Sequence, residues 1–269
     1  MNTVECHIFI YLRYYMSIKK HIPNAITCCN LLCGCLAIVQ AFEGNLVYSA
    51  YLVGLAAIFD FFDGFAARML RVASPIGKDL DSLADMVTFG VVPGIVMYKL
   101  VAISFIQKEL APFVNLSGVV EGIPYDINED KYIYFLPFLI TIFSAIRLAK
   151  FNNDTRQTDS FIGVPTPAVA IFICSIPLIM EYSKIDVNLN PYVLIVISVI
   201  LSFLLVSEIP LFALKFRNFS WRGNRIRYSF LGLSLILLIA LQFVGIPLII
   251  ILYILMSVIT NFYLKRKAV

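Results

Sequence analysis

The chain has 269 residues, is 60% hydrophobic and only 14% charged, and carries a formal net charge of +4. A soluble domain carries about 25% charged residues, so a single water-soluble core is excluded and lipid is the solvent that remains. No polar stretch is long enough for a separate soluble domain, which leaves one membrane domain, residues 22–269, behind a juxtamembrane segment, residues 1–21.

The first apolar piece, His7–Leu12, is ended by Arg13 and is followed by no small-residue cleavage site, so it does not read as a cleaved signal. Residues 1–20 mix aromatic and basic side chains, which suits a helix lying on the membrane surface; a start at Met16 is the alternative reading. A spanning helix needs about 20 mostly apolar residues. Spans are expected at Ile26–Phe42, Leu46–Met69, Leu83–Phe105, Tyr132–Phe151, Val164–Glu181, Pro191–Phe216, Tyr228–Phe243 and Ile246–Leu264. The last two form one apolar run, too long for a single crossing at about 1.5 Å per residue, and Gly245 and Pro247 mark the fold-back. The expected fold is an all-α integral membrane bundle of about eight transmembrane helices, with six or seven as the alternatives. Four of the six cysteines, Cys28, Cys29, Cys33 and Cys35, crowd the first span. With no histidine or acid beside them they read as small apolar packing residues rather than a zinc site, and no disulfide framework is expected.

Basic residues mark the cytoplasmic side. Eight spans put Lys19, Lys20, Arg68, Arg71, Lys78, Arg147, Lys150, Arg156, the run Lys215–Arg227 and Lys265–Lys267 on one side. The other side receives Lys99, Lys108, Lys131 and Lys184 among several acids. Both termini are therefore expected to face the cytoplasm, in the cytoplasmic membrane, as is the turn between spans two and three.

That turn holds the chemistry. It reads DFFDGFAARMLRVASPIGKDLDSLADMVTFG from Asp60 onward. Asp60 and Asp63 are three apart near the end of one helix, and Asp81 and Asp85 four apart at the start of the next, so each pair shares a face. An acid inside a spanning helix costs about 2.5–3.5 kcal/mol, and four of them would repel unless cations sit between them. Carboxylate oxygens favour Mg²⁺ or Mn²⁺ over zinc or copper. Gly64 and Gly77 permit close approach of a ligand or a helix, and Arg68, one turn beyond Gly64, suits a phosphate clamp. Together these point to phosphoryl or phosphatidyl transfer at the membrane surface. The bland alternative is a set of buried acids paired with Arg68, Arg71 and Lys78. Asp79, outside the paired acids, reads as solvent-facing or as a group supporting the ligands from behind, not as a ligand itself.

The spacing Asp60-x-x-Asp63-Gly64-x-x-Ala67-Arg68, eight residues, then Gly77-x-x-x-Asp81-x-x-x-Asp85 resembles the complete signature of the CDP-alcohol phosphatidyltransferases. The resemblance implies a core of about six spans, to which this chain adds two, and a homodimer. It implies two divalent cations held by Asp60, Asp63, Asp81 and Asp85, with Asp85 also the general base. It implies that Gly64, Ala67, Arg68 and Gly77 hold the CDP part of the donor.

Other stretches bear on the acceptor. Ile22-Pro23-Asn24, the run Pro75–Pro93, Ala145–Asn152 and Phe161–Ala168 resemble the membrane-type phosphatidylserine synthases of bacteria. Val206–Pro210 does so more loosely, and Lys150 stands where arginine is the commoner residue. The resemblance implies CDP-diacylglycerol and L-serine as substrates and phosphatidylserine and CMP as products. Serine brings a carboxylate, for which Arg147 and Lys150 are the candidate cations and Asn152 a polar partner; lipid-phosphate binding or simple topological anchoring are the alternatives. Choline, inositol phosphate or glycerol phosphate remain as acceptors. A cation transporter is the reading from another class, but no inverted repeat is visible. Lys215–Tyr228 interleaves basic and aromatic residues, read as anionic-lipid binding rather than nucleic-acid binding.

Overall fold

The structure, a computed structural model, describes residues 3–72, 74–110, 131–154, 160–183, 189–212 and 221–267. The chain is built from helices α1 (Thr3–Phe42), α2 (Leu46–Leu70), α3 (Pro75–Asp85), α4 (Val92–Leu110), α5 (Leu139–Asn153), α6 (Thr166–Tyr182), α7 (Pro191–Val206), α8 (Trp221–Leu241) and α9 (Gly245–Lys267). A π-helical turn, Met86–Val91, joins α3 to α4, and a 3₁₀ segment, Lys131–Phe138, leads into α5. The short strands β1 (Ser160–Ile162) and β2 (Pro210–Phe212) pair antiparallel, Phe161 opposite Leu211.

Five segments among the described residues are long and apolar enough to cross a membrane: His21–Phe42, Leu46–Leu70, Pro75–Lys108, Tyr132–Asn153 and Asn224–Asn261. The fifth contains both α8 and α9, which pack on each other after a break marked by Gln242 at φ 48°. Thr166–Tyr182 and Pro191–Val206 are apolar but shorter, 17 and 16 residues. Apolar helix is found within each expected stretch, while five segments among the described residues meet the length of a crossing.

Several boundaries move. The sixth expected span reaches Phe216, but α7 stops at Val206: Ser207 turns to extended backbone, and Pro210 lacks the amide a continuing helix needs. The third was expected to begin at Leu83, yet α3 begins at Pro75, behind a Ser74 cap whose hydroxyl accepts from the Gly77 amide at 3.0 Å. Residues 3–20 continue α1 without a break, and Pro23 lies inside that helix. Most of the Lys108–Lys131 loop and much of the Lys215–Tyr228 run fall outside the described residues.

The segment Pro75–Lys108 is the axis of the bundle: 67% of its most apolar window is buried, against 11% for Asn224–Asn261. Phe89, Val96, Met97 and Leu100 pack there against Ala37 and Ala41 of α1, Val53 of α2, Ile140 of α5, Ile173 of α6 and Leu194 of α7. Apolar side chains left exposed, such as Phe61, Phe65, Leu235 and Ile239, are what a lipid-facing surface requires. Three hydroxyls inside the bundle are satisfied locally, Ser104, Ser198 and Ser202 each donating to the carbonyl four residues earlier, whereas those of Ser49, Ser144 and Ser234 have no partner among the described residues.

Candidate active site

The turn between α2 and α3 brings the acids together. Arg71 adopts the left-handed conformation (φ 53°, ψ 41°), and the amides of Arg71 and Val72 donate back to the carbonyls of Arg68 and Ala67 at 3.3 and 3.0 Å. This closes α2. Ser74 then starts α3 three residues later, so the last turns of α2 lie beside the first turns of α3.

Carboxylate oxygens of Asp60, Asp63 and Asp81 lie within 4.8 Å of one another. Asp85 stands outside this triple, one helical turn beyond Asp81 on α3. Asp63 and Asp85 are buried, whereas Asp60 and Asp81 are half-buried. Four carboxylates at this density need a shared proton or a cation. The donor set is oxygen alone, without thiol or imidazole, and fits a hard divalent ion such as Mg²⁺ or Mn²⁺. The positive charge acting on Asp63 is Arg68, and the Gly64 amide donates to the same carboxylate.

A cavity of about 260 Å³ opens beside the acids. Asp63, Gly64, Ala67, Gly77 and Asp81 line it, with Asn24 and Thr27 of α1 opposite and Lys78 beside them. Five signature positions therefore face one space. Arg68 is exposed at its edge, its guanidinium the nearest group a methyl on Gly64 would meet, at 3.5 Å.

α1 supplies groups not singled out from the sequence. The Thr27 hydroxyl donates to Asp63 Oδ2 at 2.7 Å, and the Asn30 side-chain amide donates to Asp85 Oδ1 at 3.3 Å. Asn24 Oδ1 would lie 3.0 Å from a methyl on Gly77. The signal was present: Asn24, Thr27 and Asn30 recur every three residues, a polar stripe on an otherwise apolar helix, and such groups face the interior of a bundle. The π-helical turn directly after Asp85 carries no comparable signature. Thr88 in that turn donates to the Asn30 carbonyl at 3.3 Å, and its side chain fills the space a methyl on Gly34 would need.

The candidate acceptor residues separate. Arg147 and Lys150 line a second cavity of about 440 Å³ with Phe151, Ile162 and the stretch Leu205–Glu208. Arg147 is 6% exposed, and its Nε has no hydrogen-bond partner among the described residues. The guanidinium interacts electrostatically with Asp85, which links this cavity to the acids. Asn152 points elsewhere: its side-chain amide donates to the Ser82 hydroxyl on α3 at 2.8 Å, and its backbone carbonyl accepts from Lys78 at 2.8 Å.

Residues 20–206 match the family model described as CDP-alcohol phosphatidyltransferase. Over 190 residues the chain is 32% identical to a CDP-diacylglycerol–serine O-phosphatidyltransferase of Bacillus subtilis, covering 71% of this chain and 89% of that protein. A protein of the same description from Helicobacter pylori is 32% identical, with 70% of each chain covered. An archaetidylserine synthase of Methanothermobacter thermautotrophicus is 28% identical over 67% of this chain and 66% of its own.

Proposed function

The chain belongs to the CDP-alcohol phosphatidyltransferase family, and from that premise we propose that it transfers the phosphatidyl group of CDP-diacylglycerol to the hydroxyl of L-serine at the cytoplasmic face of the cytoplasmic membrane. The observation that carries the reading is the convergence of three carboxylates within 4.8 Å at the wall of a cavity shared with Gly64, Ala67 and Gly77. The names of the three relatives favour serine over choline, inositol phosphate or glycerol phosphate.

In this proposal the CDP group occupies the smaller cavity, its diphosphate beside Asp63 and Asp81 and within reach of Arg68. Asp60, Asp63, Asp81 and Asp85 would hold two divalent cations, Mg²⁺ or Mn²⁺, which when bound neutralise the charge of the diphosphate and of the leaving nucleotide. Serine enters the second cavity with its carboxylate against Arg147 and Lys150. The unpartnered Nε of a buried guanidinium supports an anionic ligand there. Asp85 accepts the proton of the serine hydroxyl. The oxygen forms a bond to the phosphorus that carries diacylglycerol, the phosphoanhydride bond to CMP breaks, and phosphatidylserine and CMP result. Asn152, engaged with Ser82, is in this reading a tie between helices rather than a ligand of serine. The homodimer implied by the resemblance belongs to the same proposal and is tested by mass determination in detergent.

The test is CMP release by purified protein given CDP-diacylglycerol, Mn²⁺ or Mg²⁺ and one alcohol at a time. Release with L-serine that disappears in Asp85→Asn is the expected result. Release only with another alcohol keeps the metal cluster and removes the serine assignment of Arg147 and Lys150.

A further inference from the structure

The wall of the cavity beside Arg147 runs past the residues matched to the family at Ser207 and Glu208. One wall is α5, through Arg147, Lys150 and Phe151; the other is the connection leaving α7, Leu205 to Glu208, with Ile162 of β1. That second wall continues into a ribbon of two three-residue strands, a pairing too short to be stable alone. Its near end is pinned by Gly163, at φ 77°, whose amide donates to the Ile209 carbonyl at 3.0 Å, while Val164 donates to Leu204 at 3.0 Å.

The far end is held by α9. The Tyr253 hydroxyl donates to the Phe212 carbonyl at 2.9 Å, and the Asn261 side-chain amide donates to the Pro210 carbonyl. The rings of Phe212 and Tyr253 meet edge to face at 5.0 Å, with Phe230 of α8 completing the cluster.

We propose that Tyr253 is a positioning residue for the acceptor alcohol: it anchors β2, which pairs with Ile162 and directly follows the Leu205–Glu208 wall of the cavity, so that the C-terminal helix pair sets how tightly the acceptor is held. The inference rests on the serine reading above. It assigns a role in recognition to α8 and α9, which the donor cavity does not touch.

Tyr253→Phe tests it, because the ring cluster stays and only the hydroxyl goes. The KM for the acceptor is expected to rise about fivefold, the effect of one hydrogen bond, with kcat, the KM for CDP-diacylglycerol and Mn²⁺ binding held. Asn261→Ala, which loosens the ribbon without approaching Arg147, raises the acceptor KM as well and gives a second readout should Tyr253→Phe fold poorly. An unchanged acceptor KM in both variants overturns the inference. So does an equal rise in the KM of both substrates, which marks general loosening. A wild-type protein that uses another alcohol removes the serine reading alone, and the variants are then compared on that alcohol by the same criteria. A wild-type protein that uses no alcohol brings down both.

Discussion

The Asn152 side-chain amide donates to the Ser82 hydroxyl at 2.8 Å, joining residues 70 apart in sequence. Ser82 in turn donates to the Lys78 carbonyl at 3.1 Å, and the Lys78 ammonium donates to the Asn152 carbonyl at 2.8 Å. These three bonds make a closed loop between α3, which carries Asp81 and Asp85, and α5, which carries Arg147. Asn152→Ala opens the loop while leaving every acid in place. The expected result is a fall in kcat of about fivefold, the loss of one hydrogen bond, since the carbonyl that Lys78 reaches is backbone and stays, with Mn²⁺ affinity little altered. Steady-state kinetics beside a metal-binding titration checks it, and unchanged kcat removes the role given to this tie.

Thr27 bears on the acids from the other side. Its hydroxyl is buried and lies 2.7 Å from Asp63 Oδ2, the geometry of a hydrogen bond to a charged acceptor. Thr27→Val keeps the shape of the side chain and removes the donor, and a hydrogen bond to a charged group is worth about 1.5–3 kcal/mol. Activity is expected to fall between about 10- and 100-fold. Thr27→Ser, which restores the hydroxyl, is expected to recover most of it. Equal activity of the valine and serine variants in a CMP-release assay would show that the carboxylate is held by something else.

Gly64 and Gly77 separate two reasons for a glycine. A methyl on Gly77 would lie 2.9 Å from Ser74 Oγ and 3.0 Å from Asn24 Oδ1, so it displaces the hydroxyl that caps α3. Gly77→Ala is therefore expected to lower thermal stability by about 1 kcal/mol, the worth of a cap, as well as activity. A methyl on Gly64 meets nothing nearer than the Arg68 guanidinium at 3.5 Å. Gly64→Ala is expected to leave the melting temperature intact and to raise the KM for CDP-diacylglycerol, because the space it fills is the one proposed for the donor. A loss of stability in Gly64→Ala equal to that in Gly77→Ala contradicts the distinction.

The acids, glycines and Ala67 were legible in the sequence because their spacing is local: three or four residues along a helix decide which side chains share a face. The apolar helices were legible for a similar reason, since hydropathy integrates over a whole span. What escaped were features set by contacts between distant segments. The π-helical turn after Asp85 has no composition of its own, and α1 needs the partner helix to show that Asn30 meets Asp85. The grouping of Asn152 with Arg147 came from proximity along α5, whereas the amide reaches across to Ser82. The end of α7 was misplaced because apolar residues continue beyond Val206, while backbone chemistry at Ser207–Pro210 diverts the chain into a strand.

Removal of metal is the test that reaches the centre of the site. Asp81 belongs to the triple of carboxylates and comes from α3, while Asp60 and Asp63 come from α2, so a cation held by all three also fastens the two helices together. A ligand that binds only the folded protein stabilises it by an amount that grows with its concentration over Kd. Chelation is therefore expected to abolish CMP release and to lower the melting temperature, and Mn²⁺ or Mg²⁺ to restore both. Asp81→Asn keeps the shape but halves the donor oxygens and removes the charge. It is expected to lose Mn²⁺ affinity by at least tenfold, read from bound Mn²⁺ by electron paramagnetic resonance, and to lose the Mn²⁺-dependent rise in melting temperature. The apo form of the variant is expected to melt no lower than apo wild type, because deleting one charge relieves repulsion among the remaining acids. Mn²⁺ binding at wild-type strength in Asp81→Asn would place the ion away from this cluster and remove the proposed role of all three carboxylates.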